Sequence, residues 1–242
     1  MKALTARKLL PGRNPKKRKV LLVDDHPMMR QGLAHVVNQQ RDLMVCGEAG
    51  DADEAMQCIA SSKPDLAVLD ISLEGKSGLE LMKDIQALHP EVPVLVMSMH
   101  DESLHAERAL RAGARGYVMK KAGAEAVLQA IRQVLSGKVY VSEKMSSQIL
   151  CSFASVRSGK QPSPIETLTD REFEVFQLMG EGCITREIAE RLHISPKTVG
   201  AHRQHLKEKL KLPTFTSLIH HAVRWVETHN QSQSGLQNPN RS

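Results

Sequence analysis

The side chains best suited to chemistry fall at four positions: Asp24-Asp25, Asp70, Ser98 and Lys120. Each closes an apolar run of strand length. Three carboxylates brought to one rim would repel one another unless a cation sat among them. Mg²⁺ suits that set, because it binds through a few carboxylates plus water and phosphate oxygens. A carboxylate is also a competent nucleophile towards phosphorus, giving an acyl phosphate. A phosphoryl group in transfer needs its oxygens neutralised, which Mg²⁺, a lysine ammonium and a hydroxyl would do. Singly these residues say little, since an Asp at a strand end is more often a helix cap or turn former. Jointly, on four strand ends, they point to phosphoryl chemistry.

The elements that must position them alternate with a short period from Val20 to Tyr140. Strands are expected at Lys19–Val23, Met44–Glu48, Asp65–Leu69, Val92–Met97 and Gly116–Met119. Helical spacing follows each, over 27–39, 52–62, 78–88, 102–112 and 123–135. Runs such as Ala67-Val68-Leu69 and Val94-Leu95-Val96 are apolar on both faces. Strands of that kind, alternating with helices, imply a five-stranded, doubly wound parallel sheet covered on both sides. Ligands of such sheets sit outside the C-terminal strand ends, where the strand order reverses.

Charge divides the 242 residues into unlike parts. Residues 1–19 hold eight Lys/Arg and no acid, residues 20–141 hold 12 and 17, and residues 142–242 hold 13 and 10. The expected organisation is a basic disordered arm (1–18), the α/β domain (19–136), a linker with a possible short helix (137–165), a helical domain (166–229) and a disordered tail (230–242). The arm reads as a solvated tail, with an extra DNA-backbone or membrane-surface contact as the alternative. No apolar run approaches the roughly 18 residues that span a bilayer, and no secretory signal is visible. A cytoplasmic protein without a membrane role is expected. Cys46, Cys58, Cys151 and Cys183 form no metal-binding spacing and read as reduced thiols.

The helical domain has clear punctuation. Thr169 with Glu172 forms a capping box, Gly180 and Gly182 stop that helix, and Thr185 opens the next. Ser195 caps a third, with Pro196 at its first position. Two short helices joined by a tight turn match the helix-turn-helix. The third carries Lys197, Arg203, Lys207, Lys209 and Lys211 against Glu208 alone, a stripe suited to phosphates. Its outward face should be Lys197, Thr198, Gly200, Ala201, Gln204 and His205, with Thr185, Arg203 and Lys207 as further candidate DNA contacts. Gln204 would read adenine and Ala201 would meet a thymine methyl. His202 is expected to pack inward.

The stretches Val20–His26, Pro64–Asp70, Val94–Ser98 and Gly116–Lys120 resemble receiver domains of two-component response regulators, which have a flavodoxin-like fold. Leu168–Glu172, Glu187–Glu190 and Ile194–Val199, then His202 and Lys209-Leu210, resemble the LuxR-type DNA-binding domain of the NarL/FixJ response regulators. The resemblance implies Asp70 as phosphoacceptor and Asp24, Asp25, Asp70 and the main-chain carbonyl of Ser72 as Mg²⁺ ligands. It implies Ser98 and Lys120 as phosphoryl-stabilising groups and Tyr117 as a switch residue. It further implies a sensor histidine kinase as donor, double-stranded DNA as target, a homodimer when phosphorylated, RNA polymerase as a possible partner, and no enzyme activity. One departure is Glu74, where the family commonly has proline. Ser72 and His100 stand where, in the family, the residues tune phosphoryl lifetime. A phosphatase using Asp70 would want an acid two residues on, where Ser72 stands. A phosphorylation-independent regulator is the alternative function.

Overall fold

The computed structural model describes residues 17–73, 77–99, 102–143, 145–147 and 164–234. The expectations for residues 1–16, Glu74, His100, Cys151, most of the linker and 235–242 lie outside the described residues.

Five parallel strands form one sheet in the order β2-β1-β3-β4-β5. They are β1 (Arg18–Val23), β2 (Leu43–Ala49), β3 (Leu66–Asp70), β4 (Val94–Ser98) and β5 (Gly116–Met119). Between them run α1 (Pro27–Asn38), α2 (Ala52–Ser62), α3 (Gly78–Leu88) and α4 (Glu102–Arg111), with α5 (Ala124–Leu135) after β5. Pro27 sits in the first turn of α1, and the Asp51 side chain caps α2 by accepting from the Glu54 N–H. Every residue of β3 and β4 is buried. Alternate residues feed separate cores: Ala67, Leu69, Val94 and Val96 pack with α2, α3 and α4, whereas Leu66, Val68, Leu95 and Met97 pack with α1 and α5. Strand order reverses between β1 and β3, so the rim outside Asp24 and Asp70 is the expected ligand crevice.

The first part of the expected linker belongs to this domain. The Tyr117 N–H donates to the Tyr140 carbonyl at 2.8 Å and the Tyr140 N–H to that of Arg115 at 3.1 Å, covering the free edge of β5. Met145 is buried in the same core as Tyr117. The short run Val139–Val141 carries too little alternation for its strand pairing to stand out in the sequence.

The helical domain comprises α6 (Asp170–Gly180), α7 (Thr185–Arg191), α8 (Pro196–Lys209) and α9 (Phe215–Ser234). The Thr169–Glu172 capping box and the Ser195 cap are both formed. Phe173, Phe176, Ile188, Val199, Leu206, Leu218 and Ala222 make its core. Gly180 is where α6 meets α9, and a Cβ there would lie 2.5 Å from the Ala222 carbonyl oxygen. One boundary is corrected: α9 runs to Ser234, past the expected tail start at Asn230. The polar residues after Asn230 tolerate helix, and Gly235 is the first breaker. No helix of the described residues is long and apolar enough to cross a membrane.

Candidate functional site

Parallel pairing carries the four strand ends to one rim. Asp24, Asp70 and Ser98 are buried there, and Tyr117 is buried within β5. Lys120 Nζ lies 2.6 Å from Asp24 Oδ2 and 2.7 Å from Asp70 Oδ2, bridging the two carboxylates. The Ser72 N–H donates to Asp70 Oδ1 at 3.2 Å, and the His26 N–H to Asp24 Oδ1 at 2.9 Å. His26 Nδ1 lies 2.5 Å from Asp25 Oδ1. Arg30 donates to the Asp24 main-chain carbonyl from α1. Burial pushes the Asp70 carboxyl above the ordinary aspartate value, against the pull of Lys120. Burial also opposes the charge on Lys120, but Asp70 and Asp24 outweigh it and hold that ammonium above the usual lysine value.

Three carboxylates against one ammonium leave the pocket short of positive charge. Asp24, Asp25, His26 and Asp70 each offer one ligand atom, all within 4.8 Å of one another. Three hard carboxylate donors at this spacing fit Mg²⁺. The β3–α3 connection holds Asp70 tightly. The Gly78 N–H donates to the Ile71 carbonyl at 2.9 Å. A Cβ at 78 would collide with the Asp70 carbonyl oxygen and lie 2.8 Å from Ile71 Cα, so only glycine permits this approach.

That same connection leads to a second buried cluster. Ser77 Oγ donates to Glu174 Oε1 of α6 at 3.3 Å, and Arg171 Nη1 pairs with Glu174 Oε2 at 2.8 Å. Lys83 of α3 pairs with Asp170 at 2.8 Å. Arg108 of α4 lies 3.6 Å from Asp170, donates to the Ile165 and Leu168 carbonyls at 2.7 and 3.0 Å, and stacks 4.0 Å over the Phe173 ring. His105 Nε2 lies 2.6 Å from Gln177 Oε1. Helix α6 is therefore enclosed: every residue from Glu172 to Met179 is buried. Burial pushes the Glu174 carboxyl above its ordinary value, against the pull of Arg171.

Helix α8 keeps one side near α6, with His205 Nδ1 3.9 Å from Glu172 Oε1, and leaves most of its other face open. Lys197, Thr198, Gly200, Ala201 and His205 are exposed and Gln204 is half-buried. Thr185 and Arg203 are turned towards each other, with Arg203 Nη1 donating to Thr185 Oγ1 at 2.8 Å. Lys207 Nζ lies 5.0 Å from the Phe215 ring centroid. Lys209 pairs with Glu172 at 2.7 Å. Burial opposes ionisation of Glu172, but Lys209 and the Thr169 cap outweigh it and hold the carboxyl below its ordinary value. His202 is half-buried, and that burial lowers its pKa.

Residues 20–132 match the response regulator receiver domain family, and residues 166–222 match the bacterial regulatory proteins of the luxR family. The chain is 38% identical over 204 residues to the transcriptional activator protein ExaE of Pseudomonas putida, covering 84% of this chain and 95% of that protein. The chain belongs to the two-component response regulators with a LuxR-type DNA-binding domain. A LuxR-family two-component response regulator from Aurantimonas sp. SI85-9A1 is similar at 32% identity and a TM-score of 0.54, across 57% of this chain and 99% of that one. RcsB of Salmonella enterica serovar Typhimurium, bound to promoter rprA with phosphomimetic BeF₃⁻, shares the fold at 23% identity. Its TM-score is 0.56, over 86% of this chain and 99% of that one.

The regulator thus brings Asp24, Asp25, Asp70, Ser98 and Lys120 to one end of the receiver, while Tyr117 is buried within β5, opposite Val96. Of the expected DNA contacts, Lys197, Thr198, Gly200, Ala201 and His205 lie open on α8, while Thr185 and Arg203 are tied to one another. Sequence reasoning missed the seam residues Ser77, Lys83, His105, Arg108, Asp170, Glu174 and Gln177. The one available signal was Glu174 and Gln177, polar residues three apart among the apolar positions of α6.

Proposed function

We propose that Asp70 of this transcription regulator accepts a phosphoryl group from a sensor histidine kinase, and that the charge it brings controls where the DNA-reading helix is held. In the transfer, an Asp70 Oδ forms a bond to phosphorus as the bond from phosphorus to the donor imidazole nitrogen breaks; the departing imidazole takes up a proton. Asp24, Asp25, Asp70 and the Ser72 carbonyl would hold Mg²⁺, which supplies charge neutralisation at the phosphoryl oxygens when bound. Lys120 leaves Asp70 for a phosphoryl oxygen, and Ser98 donates its hydroxyl to another. Tyr117 beside them packs according to the position of Ser98.

The observation that carries this reading is the Lys120 bridge between Asp24 and Asp70 in a buried pocket. A group already balanced on two carboxylates responds strongly to added negative charge. The β3–α3 connection continues from Asp70 to Ser77, whose hydroxyl reaches Glu174 of α6. A shift of that connection reaches the seam directly. Because α8 is already exposed while α6 is docked, control acts on the placement of the reader. Freed DNA-binding domains pair on two half-sites, as helix-turn-helix dimers do. The regulator works in the cytoplasm without turnover of an external substrate, with RNA polymerase as its downstream partner.

DNase footprinting on genomic operator DNA, with and without acetyl phosphate, tests the reading. Protection that needs the donor, and is lost in Asp70→Asn, is expected. Equal occupancy with and without the donor overturns the switch.

A further inference from the structure

The receiver has two ends of opposite character. All strands are parallel, so every helix-to-strand connection lies at the end away from Asp70. Among the described residues, that end carries Lys17, Arg18, Lys19, Arg41, Lys63, Arg115 and Lys138 against Asp42, Asp65 and Glu91. Among the described residues, the Asp70 end carries Asp24, Asp25, Asp51 and Asp70 against Lys120 and Lys121. The receiver as a whole is acidic, so the basic end is a local excess.

The acids of the basic end are largely spent. Asp65 pairs with Arg18 at 3.3 Å and accepts from the Lys19 N–H at 2.8 Å. Asp42 pairs with Arg132 at 2.8 Å, and that guanidinium holds its carboxyl below the ordinary value. Arg41, Lys63, Arg115 and Lys138 are exposed, and none has an ion-pair partner among the described residues. The connections before β3, β4 and β5 line a groove of about 720 Å³ whose walls include Arg18, Lys63, Asp65, His89, Glu91 and Arg115, with Arg41 and Lys138 outside it. Residues 1–16 join the chain at Lys17 and add five more Lys/Arg with no acid.

We infer that this end of the receiver is a second DNA-backbone surface, engaging phosphates that flank the site read by α8. It goes beyond the proposed switch and rests only on the chain being a DNA-binding regulator. Duplex DNA carries about one negative charge per 1.7 Å of axis. Once the LuxR-type domain is on a site, flanking phosphates are presented at high effective concentration to anything tethered to it. Four unpaired cations spread over separate connections suit a backbone, which is a line of charge, better than a single small anion. Such contacts add affinity without base specificity.

The test measures duplex affinity of the full chain against salt. One duplex holds the operator alone, and the other extends it by about two helical turns on each side. The variant Arg41→Ala/Lys63→Ala/Arg115→Ala/Lys138→Ala changes only exposed side chains, and a thermal melt checks that it folds. Each phosphate contact contributes about 0.9 to the slope of log K against log salt. On the long duplex the variant should lose about 2 from that slope if two contacts are made. On the short duplex its slope should match the unaltered chain. Truncation of residues 2–16 should lower the long-duplex slope further. Lys197→Ala should lower it on both duplexes, and its failure to do so would count against the reader and leave this inference standing. An unchanged long-duplex slope overturns the inference. So does a variant defect confined to sedimentation with phosphatidylglycerol vesicles, which would assign the surface to lipid.

Discussion

The phosphoryl pocket and the interdomain seam are both buried clusters of charge, and they are built on opposite plans. In the pocket, Asp24, Asp25 and Asp70 outnumber Lys120. In the seam, Lys83, Arg108 and Arg171 face Asp170 and Glu174, and main-chain carbonyls take up the remaining guanidinium donors. The pocket is unbalanced and needs something brought to it. The seam is closed on itself and needs nothing. The pocket has an excess of carboxylates, whereas the seam has three cations to two carboxylates and carbonyl oxygens that accept from the guanidinium groups. Only a few residues of the β3–α3 connection separate the two.

The most damaging way to break the comparison is to strike that connection. Gly78→Ala drives a methyl group into the Asp70 carbonyl and against Ile71. The backbone must shift, at about 1–3 kcal/mol for a forced repacking. Pocket and seam should fail together. Urea unfolding should show the loss, and intact-mass measurement after acetyl phosphate treatment should show little adduct. Full phosphorylation with an intact seam would mean that the two clusters are independent.

A second perturbation separates them. Lys83→Ala/Arg108→Ala removes both receiver cations from the seam and leaves the pocket untouched. Deleting one partner of a buried pair typically costs about 3–5 kcal/mol, because a charge is left unpaired; that range applies to Arg108, whereas the largely exposed Lys83 adds at most about 1 kcal/mol. Here Asp170 regains water once the domains part, so the smaller half of that range is expected for docking. Hydrogen exchange at Phe173–Met179 should speed by two orders of magnitude or more, while Asp70 takes up phosphoryl as before. Unchanged protection of α6 would show that apolar contact alone holds the domains.

The difference in plan also explains what the sequence revealed. The pocket was legible because chemistry demands particular residue types at strand ends, and strand ends are found from apolar runs such as Ala67-Val68-Leu69. The α/β order, the capping box at Thr169 and the cap at Ser195 were legible for a similar reason, since each is a local signal. The seam was not. Arg108 and Lys83 look like ordinary solvated charges on amphipathic helices; Arg108 is enclosed, and the still-exposed Lys83 is paired, only because a domain some sixty or more residues away docks there. Tyr140 and Met145 escaped for the same cause: their partners, β5 and the core around Tyr117, are set by tertiary packing.

The mildest test uses acidity. Glu174 is enclosed when α6 is docked, and burial raises its pKa despite Arg171. The docked form therefore binds a proton more readily than the open form. A carboxyl raised in this way favours docking most fully below the ordinary glutamate value, and that contribution is lost as pH rises through the raised one. Docking should tighten as pH falls from neutral, by at most tenfold per pH unit for a single group. Glu174→Gln keeps a hydrogen-bond acceptor for Ser77 and cannot titrate, so its docking should be flatter with pH. Asp170, Arg171, Lys83, Arg108 and His105 also face this seam and are present in both proteins, so their effects cancel in the difference. Hydrogen exchange of α6 at a series of pH values, corrected for intrinsic rates, reads the difference. Parallel profiles for the two proteins would show that Glu174 stays ionised in the seam, leaving Arg171 strong enough to offset burial.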